Sequence, residues 1–244
     1  LTKNDPLSFF QEVYGVIPEW VSKMNHYAPE ALAAYTGLRN EIMTDGALSK
    51  KEKELLLVAI NAARRYERSM IYHTKGAVDA GATLQELIEI LAVCIISRGI
   101  PAWITGMEAI QYAAAYMKVT DIKSKDGQKN DHLATTAKCM EYYQYDLGAA
   151  PEWADLLCQS NPQVFMAYSN LRAAVLKEGV VSRKLKELIL VGINVAERYP
   201  KGVKLHVMSA KKYGATDQEI AEVSLTALLT SGIPAWFEGS DYLK

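Results

Sequence analysis

Ser49-Lys-Lys-Glu-Lys-Glu-Leu-Leu-Leu-Val-Ala-Ile-Asn61 returns as Ser182-Arg-Lys-Leu-Lys-Glu-Leu-Ile-Leu-Val-Gly-Ile-Asn194, every residue number raised by 133. The same shift carries Trp20 onto Trp153, Arg39 onto Arg172, Glu54 onto Glu187 and His73 onto His206. It also carries Gly81-Ala-Thr83 onto Gly214-Ala-Thr216 and Gly99-Ile-Pro-Ala-Trp103 onto Gly232-Ile-Pro-Ala-Trp236, without an insertion. A repeat this long is a duplicated domain rather than a short solenoid unit. Few polar residues survive in both copies, so those that do are the first candidates for chemistry.

The pattern around the quoted stretch is helical almost throughout. Ser49 with Glu52, Thr83 with Glu86, and Thr216 with Glu219 have the spacing of capping boxes, each opening an apolar-periodic run. Gly81 and Gly214 sit where a helix ends in a left-handed residue. Pro18, Pro29, Pro101, Pro151 and Pro234 stand at helix starts, where the missing N–H costs nothing. The first copy parses into helices near 5–13, 17–26, 29–44, 49–66, 68–80, 84–97 and 100–118, and the second copy repeats most of them. No alternating stretch is long enough for a strand. An all-α protein of two tandem domains follows, 1–120 and 134–244, joined by a polar linker at 121–133.

Composition narrows the function classes. Half of the 244 residues are apolar and 23% are charged, as in a globular protein with ample core. A formal net charge of −1 lacks the basic footprint of a nucleic-acid binder. No apolar run approaches the ~18 residues of a membrane span, and no secretory pattern opens the chain. Cys94, Cys139 and Cys158 are widely spaced, which fits a reducing cytoplasm and no disulfide framework.

Residues seven and eleven apart on a helix lie within about 20° of one direction. Glu54, Asn61 and Arg65 therefore share a face, as do Glu187, Asn194 and Arg198. A carboxylate on such an apolar helix needs a partner. The next helix supplies His73 or His206, nineteen residues after the glutamate in each copy. A Glu–His couple in a helical hairpin reads as a proton relay. It reads equally as a structural pair whose members satisfy one another. Asn61, Asn194, Arg65 and Arg198 favour the structural reading, and Tyr66, Tyr199, Trp103 and Trp236 read as core or pocket wall. His26 and His132 have no counterpart in the other copy.

The stretch Glu54…Tyr66-Glu-Arg-Ser69-Met-Ile-Tyr-His73-Thr-Lys-Gly-Ala77-Val-Asp-Ala-Gly81-Ala-Thr83…Glu86 resembles the carboxymuconolactone decarboxylase and alkylhydroperoxidase D superfamily. The likeness covers about Leu48 to Ala115 and Val181 to Lys244. It implies an all-α bundle of the alkylhydroperoxidase D kind, assembled as a homo-oligomer (a dimer or trimer of double-domain chains), acting on a small molecule. In the peroxidase branch two cysteines precede the histidine. Here their places hold Tyr66 and Ser69, and Tyr199 and Gly202. Thiol peroxidase chemistry needs those thiols, so the resemblance favours the decarboxylase branch.

That branch implies a cofactor-independent lyase or isomerase for a small carboxylated or lactone substrate. His73 would be the general acid, Glu54 its orienting partner, and Arg65 or Arg98 a carboxylate or enolate clamp, with Glu67 a further acidic match. Glu187 and His206 repeat the couple, while Pro200 and Ser231 replace Glu67 and Arg98. No cofactor is expected, and one histidine with one glutamate per copy falls short of a metal ligand set. A helical scaffold or small-molecule binder that has lost its chemistry is the remaining alternative.

Overall fold

The computed structural model describes residues 5–120 and 133–243. Apart from Leu133, the expected linker and His132 lie outside the described residues. Within them the chain is all-α, without strands. The first copy forms α1 (Pro6–Tyr14), α2 (Glu19–Tyr27), α3 (Pro29–Ile42), α4 (Lys50–Ala63), α5 (Glu67–Asp79), α6 (Leu84–Arg98) and α7 (Ile100–Tyr116). The second forms α8 (Thr136–Leu147), α9 (Glu152–Ser160), α10 (Pro162–Leu176), α11 (Arg183–Ala196), α12 (Pro200–Lys212), α13 (Asp217–Ser231) and α14 (Pro234–Ser240). None of these helices is long and apolar enough to cross a membrane.

Local chemistry sets the boundaries. All three capping boxes form both reciprocal bonds. Gly81 and Gly214, at φ +90° and +88°, end α5 and α12 in the left-handed region. One boundary differs from the expected one. α4 ends at Ala63 rather than near 66, because Arg65 turns left-handed at φ +58° and the Tyr66 N–H reaches back to the Asn61 carbonyl at 2.9 Å. Arg198, at φ +54°, repeats the turn after α11. An arginine where glycine is favoured gives no local signal in the sequence.

α4 and α11 form the centre. Buried residues run unbroken from Lys53 to Ala63 and from Leu185 to Ala196, as expected of helices that are apolar on all sides. They pack on each other as well as on their own copies, so one apolar core runs through both halves. Gly192 permits this approach: a Cβ there would lie 2.6 Å from the Leu56 side chain.

The contact between copies is reciprocal. Lys53 Nζ meets Glu222 Oε2 at 2.9 Å, and Lys186 Nζ meets Glu89 Oε2 at the same distance. Glu222 also accepts from the Ala47 and Leu48 N–H groups, and Glu89 from those of Val180 and Val181. Equivalent residues thus exchange partners, as at an isologous dimer interface. The two copies are related by an internal pseudo-twofold axis.

Candidate active site

Glu54 lies fully buried on α4. The tight turn at Arg65 folds α5 back against α4 and brings His73 Nδ1 to 2.7 Å from Glu54 Oε2. The second copy repeats this distance between His206 Nδ1 and Glu187 Oε2. A ring nitrogen facing a carboxylate is the one that carries the proton, which leaves Nε2 as the nitrogen turned away from the glutamate. Gly76, one turn beyond His73, makes room for the carboxylate, since a Cβ there would stand 2.7 Å from the carboxyl carbon. The other oxygen of each glutamate faces an arginine: Arg39 Nη2 lies 3.4 Å from Glu54 Oε1, and Arg172 Nη2 lies 3.7 Å from Glu187 Oε1.

Each couple borders a cavity completed by the other copy. The first, about 380 Å³, is walled by Tyr14, Trp20, Tyr35, Tyr66 and Tyr72 beside His73, with Leu229 and Thr230 contributed by α13. The second, about 550 Å³, is walled by Trp153, Tyr168 and Tyr199 beside His206, with Ile96, Ser97 and Arg98 contributed by α6. Ile96 and Ser97 are the counterparts of Leu229 and Thr230, so the exchange of walls obeys the same internal axis.

Sequence-selected residues divide accordingly. Tyr66 and Tyr199 are wall residues, and Asn194 lines the second cavity. Asn61 does not line the first. Its amide donates to the Leu57 carbonyl at 2.8 Å, and its side-chain oxygen accepts from Thr230 Oγ1 at 3.3 Å. Arg65 and Glu67 are exposed and line neither cavity. Arg198 is also outside them, its guanidinium donating to the Ser231 and Ala196 carbonyls. Trp103 packs against the shared core, and neither it nor Trp236 lines either of these two cavities. Arg98, grouped by sequence with Glu54 and His73, instead faces the second couple, because α6 crosses to the other copy.

Sequence reasoning missed Arg39, Arg172, Trp20, Trp153, Tyr35 and Tyr168. The signal was present, since all six keep their identity under the repeat shift.

Behind the glutamates the copies part. In the second, Arg183 Nη2 bridges Glu187 Oε1 at 2.6 Å and Asp146 Oδ1 at 2.7 Å. Arg172 Nη2 meets Asp146 Oδ2 at 3.0 Å, and the Tyr213 hydroxyl donates to Asp146 Oδ1 at 2.9 Å. Burial alone would raise the Glu187 pKa, but His206 and the two guanidiniums outweigh it and bring it down to about 2. Burial is also the largest influence on His206; with the two guanidiniums it lowers that pKa despite Glu187. The first copy has Val13, Lys50 and Ala80 at the places of Asp146, Arg183 and Tyr213. There a cavity of about 470 Å³ opens behind Glu54.

The cysteines stand apart from both couples. Cys94 is buried, its thiol pushed up to about 12 by desolvation and directed at the Ala59 and Ile90 carbonyls. None of the three lines either cavity. Among the described residues, no group of three or more His, Cys, Asp or Glu side chains is placed to hold a metal ion.

A duplicated helical bundle with a histidine–glutamate couple in each half defines the class of protein. The carboxymuconolactone decarboxylase family model matches residues 29–112 and 162–244, and the chain belongs to that family. It is 29% identical over 92 residues to an uncharacterised protein of Methanocaldococcus jannaschii, covering 38% of this chain and 86% of the other. An uncharacterised protein of Cupriavidus necator is 31% identical over 84 residues, 34% of this chain and 74% of its own. The fold is similar to a crystal structure from Burkholderia xenovorans whose proposed identity is a gamma-carboxymuconolactone decarboxylase subunit. The TM-score is 0.68 at 21% identity, over 96% of this chain and 93% of that one.

Proposed function

We propose that the protein is a cofactor-independent lyase or isomerase for a small carboxylated or lactone substrate, with His73 and His206 as its proton carriers. The observation that carries this reading is the 2.7 Å Glu–His contact repeated in both copies, each beside a cavity of ligand size. Loss of CO₂ from a carboxylactone breaks one C–C bond and leaves its electron pair in the conjugated lactone carbonyl. The resulting enolate takes a proton from Nε2 of the imidazolium, which is then replenished from solvent. The glutamate holds the ring and stabilises the imidazolium without leaving the site. Isomerisation would use the same nitrogen to remove a proton and return it at another carbon. The absence of cysteines at positions 66, 69, 199 and 202 argues against a thiol peroxidase.

Three unpaired cysteines fit a cytoplasmic setting. The exposed pairs Ile100/Ile104 on α7 and Ile233/Phe237 at the start of α14 fit a homo-oligomer. The test is CO₂ release and lactone consumption by the double variant His73→Gln/His206→Gln across a panel of carboxylactones. Loss of about 10²-fold or more is expected for removal of an acid–base group. Turnover undiminished in the double variant would sink the assignment.

A further inference from the structure

The two cavities share a plan but not a charge. In the first, the walls are Tyr14, Trp20, Tyr35, Tyr66 and Tyr72, and no lysine, arginine, aspartate or glutamate joins the lining. In the second, Arg98, Lys201, Glu152 and the buried Arg172 join the lining. Arg172 is balanced by Asp146 and Glu187 at its back. Its Nε, like that of Arg39 in the first copy, is buried without a hydrogen-bond partner among the described residues. Arg98 gives Nη1 to the Ser97 carbonyl and hydroxyl, and its Nε lies 3.6 Å from Glu197. Among the described residues, no hydrogen bond involves its Nη2. Lys201 stands in the first turn of α12, where unpaired backbone N–H groups add positive potential. The first copy has the acidic Glu67 at the start of the equivalent helix, where the second has Pro200.

From this contrast we infer that the copies are specialised. The second cavity binds a carboxylate-bearing small molecule, anchored by Arg98 reaching across from the first copy, with Lys201 in support. The first cavity binds an uncharged planar one between its aromatic walls. A carboxylate gains a charge-assisted hydrogen bond and the Coulomb attraction of the guanidinium, neither of which a neutral group repays in full. Stacking on Tyr and Trp selects flat rings without need of charge. This assignment divides between the two cavities the ligand classes named under the proposed function. It rests on that reading for the identity of the cavities, but not on turnover.

The test is ligand binding to the full chain, using benzoate and its uncharged analogue benzamide as probes and tryptophan fluorescence as the readout. Trp153 borders one cavity and Trp20 the other, so Trp153→Phe removes the benzoate response and Trp20→Phe removes the benzamide response. Arg98→Ser gives this position the residue the other copy carries at 231, and should weaken benzoate about tenfold or more while benzamide stays within threefold. Arg98→Lys keeps the charge and should recover most of the loss, which separates anchoring from damage to the fold. Benzoate affinity should also fall as salt rises. Equal binding of both probes in both cavities, no benzoate binding, or an Arg98→Ser variant with unchanged benzoate affinity would overturn the assignment. A protein that turns over no substrate yet sorts the probes this way would lose the proposed reaction and keep this one.

Discussion

Glu54 and Glu187 occupy the same place in two copies of one hairpin, yet only Glu187 is held from behind. Arg183 and Arg172 bracket it, and Asp146 returns the negative charge that two buried guanidiniums need. Glu54 has one arginine, at 3.4 Å, and an open cavity where the network would stand. The imidazole contact is 2.7 Å in both. A couple that keeps its length in such different surroundings is specified by the α4–α5 and α11–α12 hairpins rather than by the charges around it. The network tunes the second couple and fills its back; it does not create it.

Removing a member of the network should have the largest effect. Asp146→Ala leaves two buried guanidiniums with one carboxylate between them, so urea unfolding should report a loss of about 3–5 kcal/mol. Val13→Ala, at the matching place in the first copy, removes only a half-buried side chain and should cost under about 1 kcal/mol. Equal costs would erase the contrast between the copies.

Acid should weaken the second couple next. The His206 pKa is lowered in the fold and that of Glu187 is held near 2. The folded state therefore binds fewer protons than the unfolded chain, first below the ordinary histidine value of about 6.5 and then below the ordinary carboxylate value. Stability is full above that window and falls as pH drops through it, by at most about 1.4 kcal/mol per pH unit for each group. Thermal melts of His206→Gln should lose the upper part of this slope. A slope unchanged in that variant would assign it elsewhere.

The smallest effect belongs to the turns. Arg65 and Arg198 both adopt left-handed backbone, but only Arg198 gains bonds to the Ser231 and Ala196 carbonyls. Arg65→Gly should raise stability by about 0.5–1 kcal/mol in chemical denaturation, and Arg198→Gly by less. The reverse order would mean that the Arg198 bonds contribute nothing.

Much of the fold was legible because it is written locally. Ser49, Thr83 and Thr216 announce helix starts three residues ahead of their glutamates, and Gly81 and Gly214 announce the ends. The repeat made the couple legible too, since a glutamate and a histidine held at constant spacing on adjacent helices have few ways to miss each other. Arg39 and Trp20 were visible in the same alignment of the two copies. They went unassigned because their distance along the chain from Glu54 carries no periodicity to connect them. Arg98 was placed beside the wrong histidine for a different reason. Proximity in sequence puts it with His73, whereas the packing of α6 against α10 and α11 carries it to His206.

By itself the sequence determined the family, the helices and the Glu–His pairs, since capping, apolar period and an exact internal repeat act over a few residues or recur at fixed distance. Tertiary structure alone decided which copy completes which cavity, and where the charges fall around each couple. Those features depend on how two halves meet across an internal axis. No property of a single helix encodes that meeting.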